Sequence, residues 1–177
     1  MQIRIIDPET RKTTAWSGGK TEEWYLCPAD GSYAERRFLF RISSATVDLP
    51  ESHFTPLPGV TRYLTPLCEG FFLKINGRQW RFLPGGSVLR FSGDDDVVCR
   101  GRGRDLNLML KGARGDMRIL ESGATALTPH AFLFLYCPEE TTVAGTTVSA
   151  DSFCEIRMQG FAPLSLSKPA VLFTVDL

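Results

Sequence analysis

What the chain lacks narrows its chemistry first. It holds two histidines in 177 residues, His53 and His130, and neither has a second imidazole nearby in sequence. A zinc, iron or manganese centre draws several histidine and carboxylate ligands together, so neither metal nor cofactor is expected, and both histidines read as surface or turn residues. The five cysteines, Cys27, Cys68, Cys99, Cys137 and Cys154, stand singly, are odd in number and show no CxxC spacing. They read as reduced, mostly buried thiols. Charge of one sign is not in excess, with 20 Lys plus Arg against 20 Asp plus Glu, which leaves no long-range field to draw in nucleic acid or an anionic membrane. No apolar run approaches the roughly 18 residues of a membrane span, and the opening MQIRIIDPETRK lacks the apolar stretch of a signal peptide. These absences point to a cytoplasmic protein whose partner is a small molecule or another protein.

Long helical periodicity is missing too. Only residues 29–37 have room for a helical turn, which argues against a doubly wound parallel fold. What is present is a succession of short runs rich in β-branched, aromatic and leucine residues, broken by Gly, Pro, Asn or Asp about every ten residues. That spacing predicts an all-β sandwich or barrel. The clearest hairpin joins 71–75 to 78–82, because Asn76-Gly77 suits the positive φ angles of a two-residue type I′ turn. Further strands are expected at 2–6, 38–47, 62–67, 87–91, 106–110, 117–121, 131–137, 146–148, 153–158 and 170–175. The later strands are shorter and less polar, so the chain divides on paper into a first half, 1–120, carrying the chemistry, and a reduced second half, 121–177. Exposed sheet edges make a homodimer reasonable.

Several motifs invite a function and fail. Gly19-Lys20-Thr21 resembles the tail of a phosphate loop, but Thr14 stands where that loop needs its first Gly, and Glu23-Trp24-Tyr25-Leu26 reads as extended rather than helical. The alternative is a glycine turn followed by a strand that projects Thr21 and Glu23 to one side. Asp94-Asp95-Asp96 lacks the alternating oxygen ligands of a calcium loop, and the three arginines of 100–104 lack stacking aromatics for nucleic acid. These loops read as opposite charges partly neutralising each other. There is no GxSxG elbow and no cysteine beside a histidine, so no catalytic nucleophile is assigned.

Two strands remain informative. In 38–47 the two-residue period puts Phe38, Phe40 and Ile42 on one face and Leu39, Arg41, Ser43 and Ala45 on the other. An arginine among apolar neighbours must meet a carboxylate, such as Glu23 or Asp105, or a ligand anion, since a buried unpaired charge costs several kcal/mol. In 105–110 Leu106, Leu108 and Leu110 share one face, while Asp105, Asn107 and Met109 share the other. Two polar groups one residue apart can orient a ligand in an otherwise apolar pocket.

Taken in order, residues 13–23, Phe40-Arg41-Ile42-Ser43-Ser44-Ala45, Leu57-Pro58-Gly59-Val60-Thr61-Arg62, Phe91-Ser92-Gly93-Asp94 and Asp105-Leu106-Asn107-Leu108-Met109 resemble the HutD/Ves family. The likeness is strongest over about 10–120. It implies a bicupin, two cupin-like β-barrel halves in one chain with a pocket in the first, and a link to histidine utilisation through binding of formylglutamate, or to stress responses. Carried over by position, the family's site falls on Trp16, Thr21, Glu23, Arg41, Ser43, Arg62, Asp105 and Asn107. One departure is that many members have an Asn and a longer glycine run after the tryptophan, where this chain has Ser17 and is about two residues shorter.

The resulting expectation is a metal-independent protein that binds a small polar or acidic metabolite, with Arg41 and Arg62 on its carboxylate. Charge-assisted bonds to arginine would anchor it. The alternatives are an isomerase or epimerase using Glu23 or Asp105 as acid and base, and a protein-interaction module.

Overall fold

The computed structural model describes residues Met1–Leu177. Strand β1 (Gln2–Ile6) is followed by a 3-10 turn at Pro8–Thr10 and by β2 (Lys12–Trp16), β3 (Gly19–Cys27), β4 (Phe40–Val47), β5 (Glu51–His53) and β6 (Thr61–Pro66). Next come β7 (Gly70–Ile75), β8 (Arg81–Pro84), β9 (Leu89–Ser92), β10 (Val97–Arg100) and β11 (Gly103–Leu110). The remaining strands are β12 (Arg114–Leu120), β13 (Gly123–Leu127), β14 (Phe132–Cys137), β15 (Thr141–Val143), β16 (Thr146–Val148), β17 (Ser152–Arg157), β18 (Ala162–Leu166) and β19 (Ala170–Asp176). The all-β expectation holds. The helical turn anticipated at 29–37 does not form: that segment is a series of turns closed by the Ser32–Arg37 bridge, because Gly31 and Arg36, the latter at φ 59°, turn the chain back on itself.

The chain forms two compact units, Arg11–Ala113 and Met1–Thr10 with Arg114–Leu177. The boundary differs from a cut at 120 at both ends. Strand β1 pairs with β17 over Gln2–Ile6, and β12 pairs with β19, so both pack with the C-terminal strands.

In the unit Arg11–Ala113 a six-stranded sheet, in the order β2-β3-β4-β11-β6-β9, accompanies a four-stranded sheet in the order β5-β10-β7-β8. Leu64 and Phe91 of the first meet Phe71, Leu73, Val97 and Cys99 of the second in one apolar cluster. Strands β4 and β11 are buried on both faces. Phe40, Ile42, Leu106 and Leu108 fill one face, and the polar residues between them occupy the other. A chain with period two can do this only when both faces are covered.

The Asn76-Gly77 turn forms as the sequence predicts, with φ values of 52° and 69° and a hydrogen bond from the Arg78 N–H to the Ile75 carbonyl at 3.0 Å. Its second strand starts later than expected. Phe72 pairs with Phe82 and Leu73 with Arg81, a register one residue longer than a two-residue turn alone sets. The extra residue frees Trp80 from the ladder to lie against Arg100 and Lys74, 4.2 and 4.9 Å from its ring centroid.

The other unit has sheets in the orders β1-β17-β14-β19-β12 and β13-β18-β15-β16, closed over a core that includes Leu135, Val143, Cys154, Leu164 and Leu172. On the opposite face of the larger sheet Phe134 and Phe153 stack at 5.1 Å, and Phe173 meets Phe153 edge-on at 6.1 Å.

Candidate functional site

Strand pairing in the six-stranded sheet assembles the site. The register sets Arg41 beside Met109 and Met109 beside Arg62. One step along, Glu23, Ser43 and Asn107 form a second row, and Thr21, Ala45 and Asp105 form a third. A bulge between Glu23 and Tyr25 inserts one residue into β3, which tucks Trp24 away while Glu23 stays on the inner face. Together with Trp16 on β2, these side chains line a cavity of about 290 Å³, a size suited to a small metabolite. All eight residues singled out in the sequence, Trp16, Thr21, Glu23, Arg41, Ser43, Arg62, Asp105 and Asn107, are on its wall.

The two arginines differ in what they already hold. Arg41 Nε donates to Glu23 Oε2 at 2.8 Å, and its guanidinium lies 4.0 Å from the centroid of the Tyr33 ring. Arg62 has no carboxylate partner: its Nη1 donates to the Thr55 carbonyl at 3.1 Å, and the aromatic rings of Phe91 and Phe54 flank it at 4.9 and 5.3 Å. Its Nε is buried without an acceptor, and Ser43 Oγ is buried without a partner. Burial holds the Arg62 pKa below its ordinary value. Buried polar atoms in folded proteins are overwhelmingly paired, and these two residues of the cavity wall are exceptions to that rule.

Asp105 is 2% exposed. Its Oδ1 accepts from Asn107 Nδ2 at 2.6 Å and from the Ala45 N–H at 3.3 Å. Burial pushes its pKa up to about 7, against the lowering effects of those two donors and of Arg62 and Arg104. The Asp-x-Asn spacing works as period two dictates, with both side chains on the inner face.

Other parts of the wall were not assigned from sequence. Tyr33 comes from the segment between β3 and β4, where no periodic pattern points to an inward side chain. Phe54 and Thr55 follow β5, while Lys12 and Thr14 lie on β2, which is readable only through its pairing with β3. His53, read as a surface residue, is exposed and borders the cavity. The aspartate run acts locally: Asp95 Oδ1 accepts from Asn76 Nδ2 at 2.7 Å, Asp94 Oδ2 accepts from the Gly59 N–H at 3.3 Å, and Arg100 pairs with Glu51. The mutual neutralisation expected of the 94–96 and 100–104 loops is replaced by these contacts, because the carboxylates sit within reach of turn N–H groups.

A two-sheet β unit with a polar cavity on the inner face of its larger sheet defines a cupin-like protein. Bacterial pirin from Escherichia coli in complex with nickel(II) has the same fold, at a TM-score of 0.63 with 10% identity over 99% of both chains. No group of three or more His, Cys, Asp or Glu side chains converges in this chain, so its residues do not fit such a metal. The chain belongs to the HutD family, whose model matches residues 8–174. Two solved structures share the whole fold. HutD from Pseudomonas fluorescens SBW25, in a formate condition, superposes at a TM-score of 0.83 with 22% identity, covering 99% of this chain and 98% of that one. A conserved protein of unknown function from Pseudomonas aeruginosa PAO1 superposes at 0.82, also with 22% identity, over 100% of both. No curated protein matches.

Proposed function

We propose that this cavity binds a small carboxylic acid of the amino-acid-derived class, for which N-formyl-L-glutamate is the model, and that the protein serves as a sensor or regulator in histidine utilisation or stress response rather than as a metal-dependent enzyme. The observation that carries the reading is the buried, acceptor-free Nε of Arg62, on the wall of the same cavity as the partnerless Ser43 hydroxyl. A ligand carboxylate supplies the missing acceptors, and a charge-assisted bond in a dry site is roughly twice as strong as a neutral one. Arg62, not Arg41, is therefore the anchor, since Arg41 Nε is already committed to Glu23. Lys12, at the exposed edge of the cavity, suits a second carboxylate.

Both carboxylates in the cavity have protein partners, Glu23 through Arg41 and Asp105 through Ala45 and Asn107. The ion pair with Arg41 leaves Glu23 committed, which favours binding over acid–base turnover at that residue. A thermal-shift series with N-formyl-L-glutamate, L-glutamate and related acids tests the reading: a rise in Tm with at least one acid is the expected result, and no response to any of them overturns it.

A further inference from the structure

Asp105 and Arg62 face the same cavity, yet no hydrogen bond joins them. Both donors that reach Asp105 converge on Oδ1, so Oδ2 is the oxygen available to a guest. Asp105 is 2% exposed, and Oδ2 is the oxygen left to hold a proton, since Oδ1 already accepts two N–H bonds. We propose that Asp105 enters the complex as the neutral acid, donating its Oδ2 proton to an uncharged acceptor on a ligand whose carboxylate lies on Arg62. The site then selects N-acylated acids over free amino acids. This rests on the carboxylate-binding reading above and sharpens it.

The charges around Asp105 support that state. Arg104 lies on its own strand and Arg62 on β6, the Arg41–Glu23 pair is internally neutral on β4 and β3, and Tyr33, His53 and Lys12 stand elsewhere on the wall. Cys99 on β10 is held as the thiol, its pKa raised to about 12 by burial. A carboxylate placed on Arg62 cancels the nearest charge that favours ionised Asp105 and adds an anion of its own. Both effects retain the proton. Burial holds the Asp105 pKa up at about 7 before any ligand binds, so above that pH the complex must take a proton from solvent. An α-ammonium group would draw the opposite response, because it pairs with the ionised form.

N-formyl-L-glutamate and L-glutamate differ at this point and share the rest of their skeleton. Calorimetric titration of each at pH 6 and pH 8, in two buffers of different ionisation enthalpy, reads affinity and proton exchange together. For the formyl compound the expected result is uptake of about one proton at pH 8 and affinity about tenfold weaker there than at pH 6, the factor set by titration of a free-state group near 7. L-Glutamate should bind more weakly at both, and Asp105→Asn, which keeps a neutral donor, should bind the formyl compound with no pH dependence. Proton release, pH-independent binding by the natural protein, or preference for L-glutamate overturns the proposal while leaving carboxylate binding standing. Binding of neither acid at either pH removes both.

Discussion

Arg41 Nε and Glu23 Oε2 meet at 2.8 Å, with side-chain exposures of 6% and 15%. The contact closes a rung between β4 and β3 at the bulge, and it gives Arg41 a carboxylate partner within the protein. Of the partners open to Arg41 from sequence alone, Glu23, Asp105 or an external anion, the structure supplies Glu23.

Removing that carboxylate would strand a buried guanidinium. Glu23→Ala should therefore cost roughly 3 kcal/mol of stability, by the rule for breaking one side of a buried pair, and Glu23→Gln should cost less because its amide oxygen still accepts. Urea unfolding of both variants checks this. An alanine variant as stable as the natural protein would show that the pair contributes nothing.

Asp105 ties stability to pH in a definite direction. Its folded-state pKa of about 7 lies above the ordinary 3.8, so the folded state keeps a proton that the unfolded state gives up. Stability from this group is full below about 4 and is lost as pH rises towards 7. The whole window corresponds to about 4 kcal/mol at most, at 1.36 kcal/mol for each unit of pKa difference. Asp105→Asn should flatten the dependence and unfold at higher urea than the natural protein at pH 8, with a smaller gain at pH 5. Parallel slopes for the two proteins would contradict the buried-acid description.

Ser43 offers a hydroxyl that nothing in the protein satisfies. Ser43→Ala should leave stability unchanged or slightly raised, since an unmet buried polar group is removed. Affinity for N-formyl-L-glutamate should fall by about fivefold, the equivalent of one hydrogen bond of about 1 kcal/mol. Calorimetry on the purified variant reads both quantities, and undiminished affinity would take Ser43 out of the site.

Gly19 keeps its place for a steric reason. Its φ is 151°, and a Cβ there would drive into the Thr46 carbonyl oxygen of the neighbouring strand. Gly19→Ala should lower Tm and loosen the β2–β3 hairpin that carries Trp16 and Thr21 to the cavity, at a cost of about 1–3 kcal/mol. Thermal unfolding decides it. The Gly-Lys-Thr string thus opens strand β3 just after the Ser17-Gly18 turn, with Gly19 pressed against β4.

Much of the site was legible because it sits on long strands. Period two sorts Arg41, Ser43 and Ala45 from Phe40 and Ile42, and Asp105, Asn107 and Met109 from their leucines, with no knowledge of pairing. Tyr33 was hidden because its segment has no period and reaches the cavity through turns, fixed by the Gly31 N–H to Pro28 carbonyl and Ser32–Arg37 contacts. The choice between Arg41 and Arg62 was closed to sequence reasoning as well. It depends on the lateral register of β3, β4, β11 and β6, which no local pattern encodes. The unit boundary was missed for a related reason, since β1 pairs with β17 across 151 residues of chain, as the Arg4–Glu155 contact records.

Arg62 lies between Phe54 and Phe91 on the cavity wall. Arg62→Met retains an unbranched apolar stem between Phe54 and Phe91 and removes the charge, so the fold should survive with equal or greater stability. Calorimetric titration of natural and Arg62→Met protein with N-formyl-L-glutamate at pH 6 should show affinity reduced by about 10- to 100-fold in the variant, the range set by losing a charge-assisted bond of about 1.5–3 kcal/mol. Equal affinity in the two proteins would contradict the claim that this cavity binds its ligand's carboxylate through Arg62.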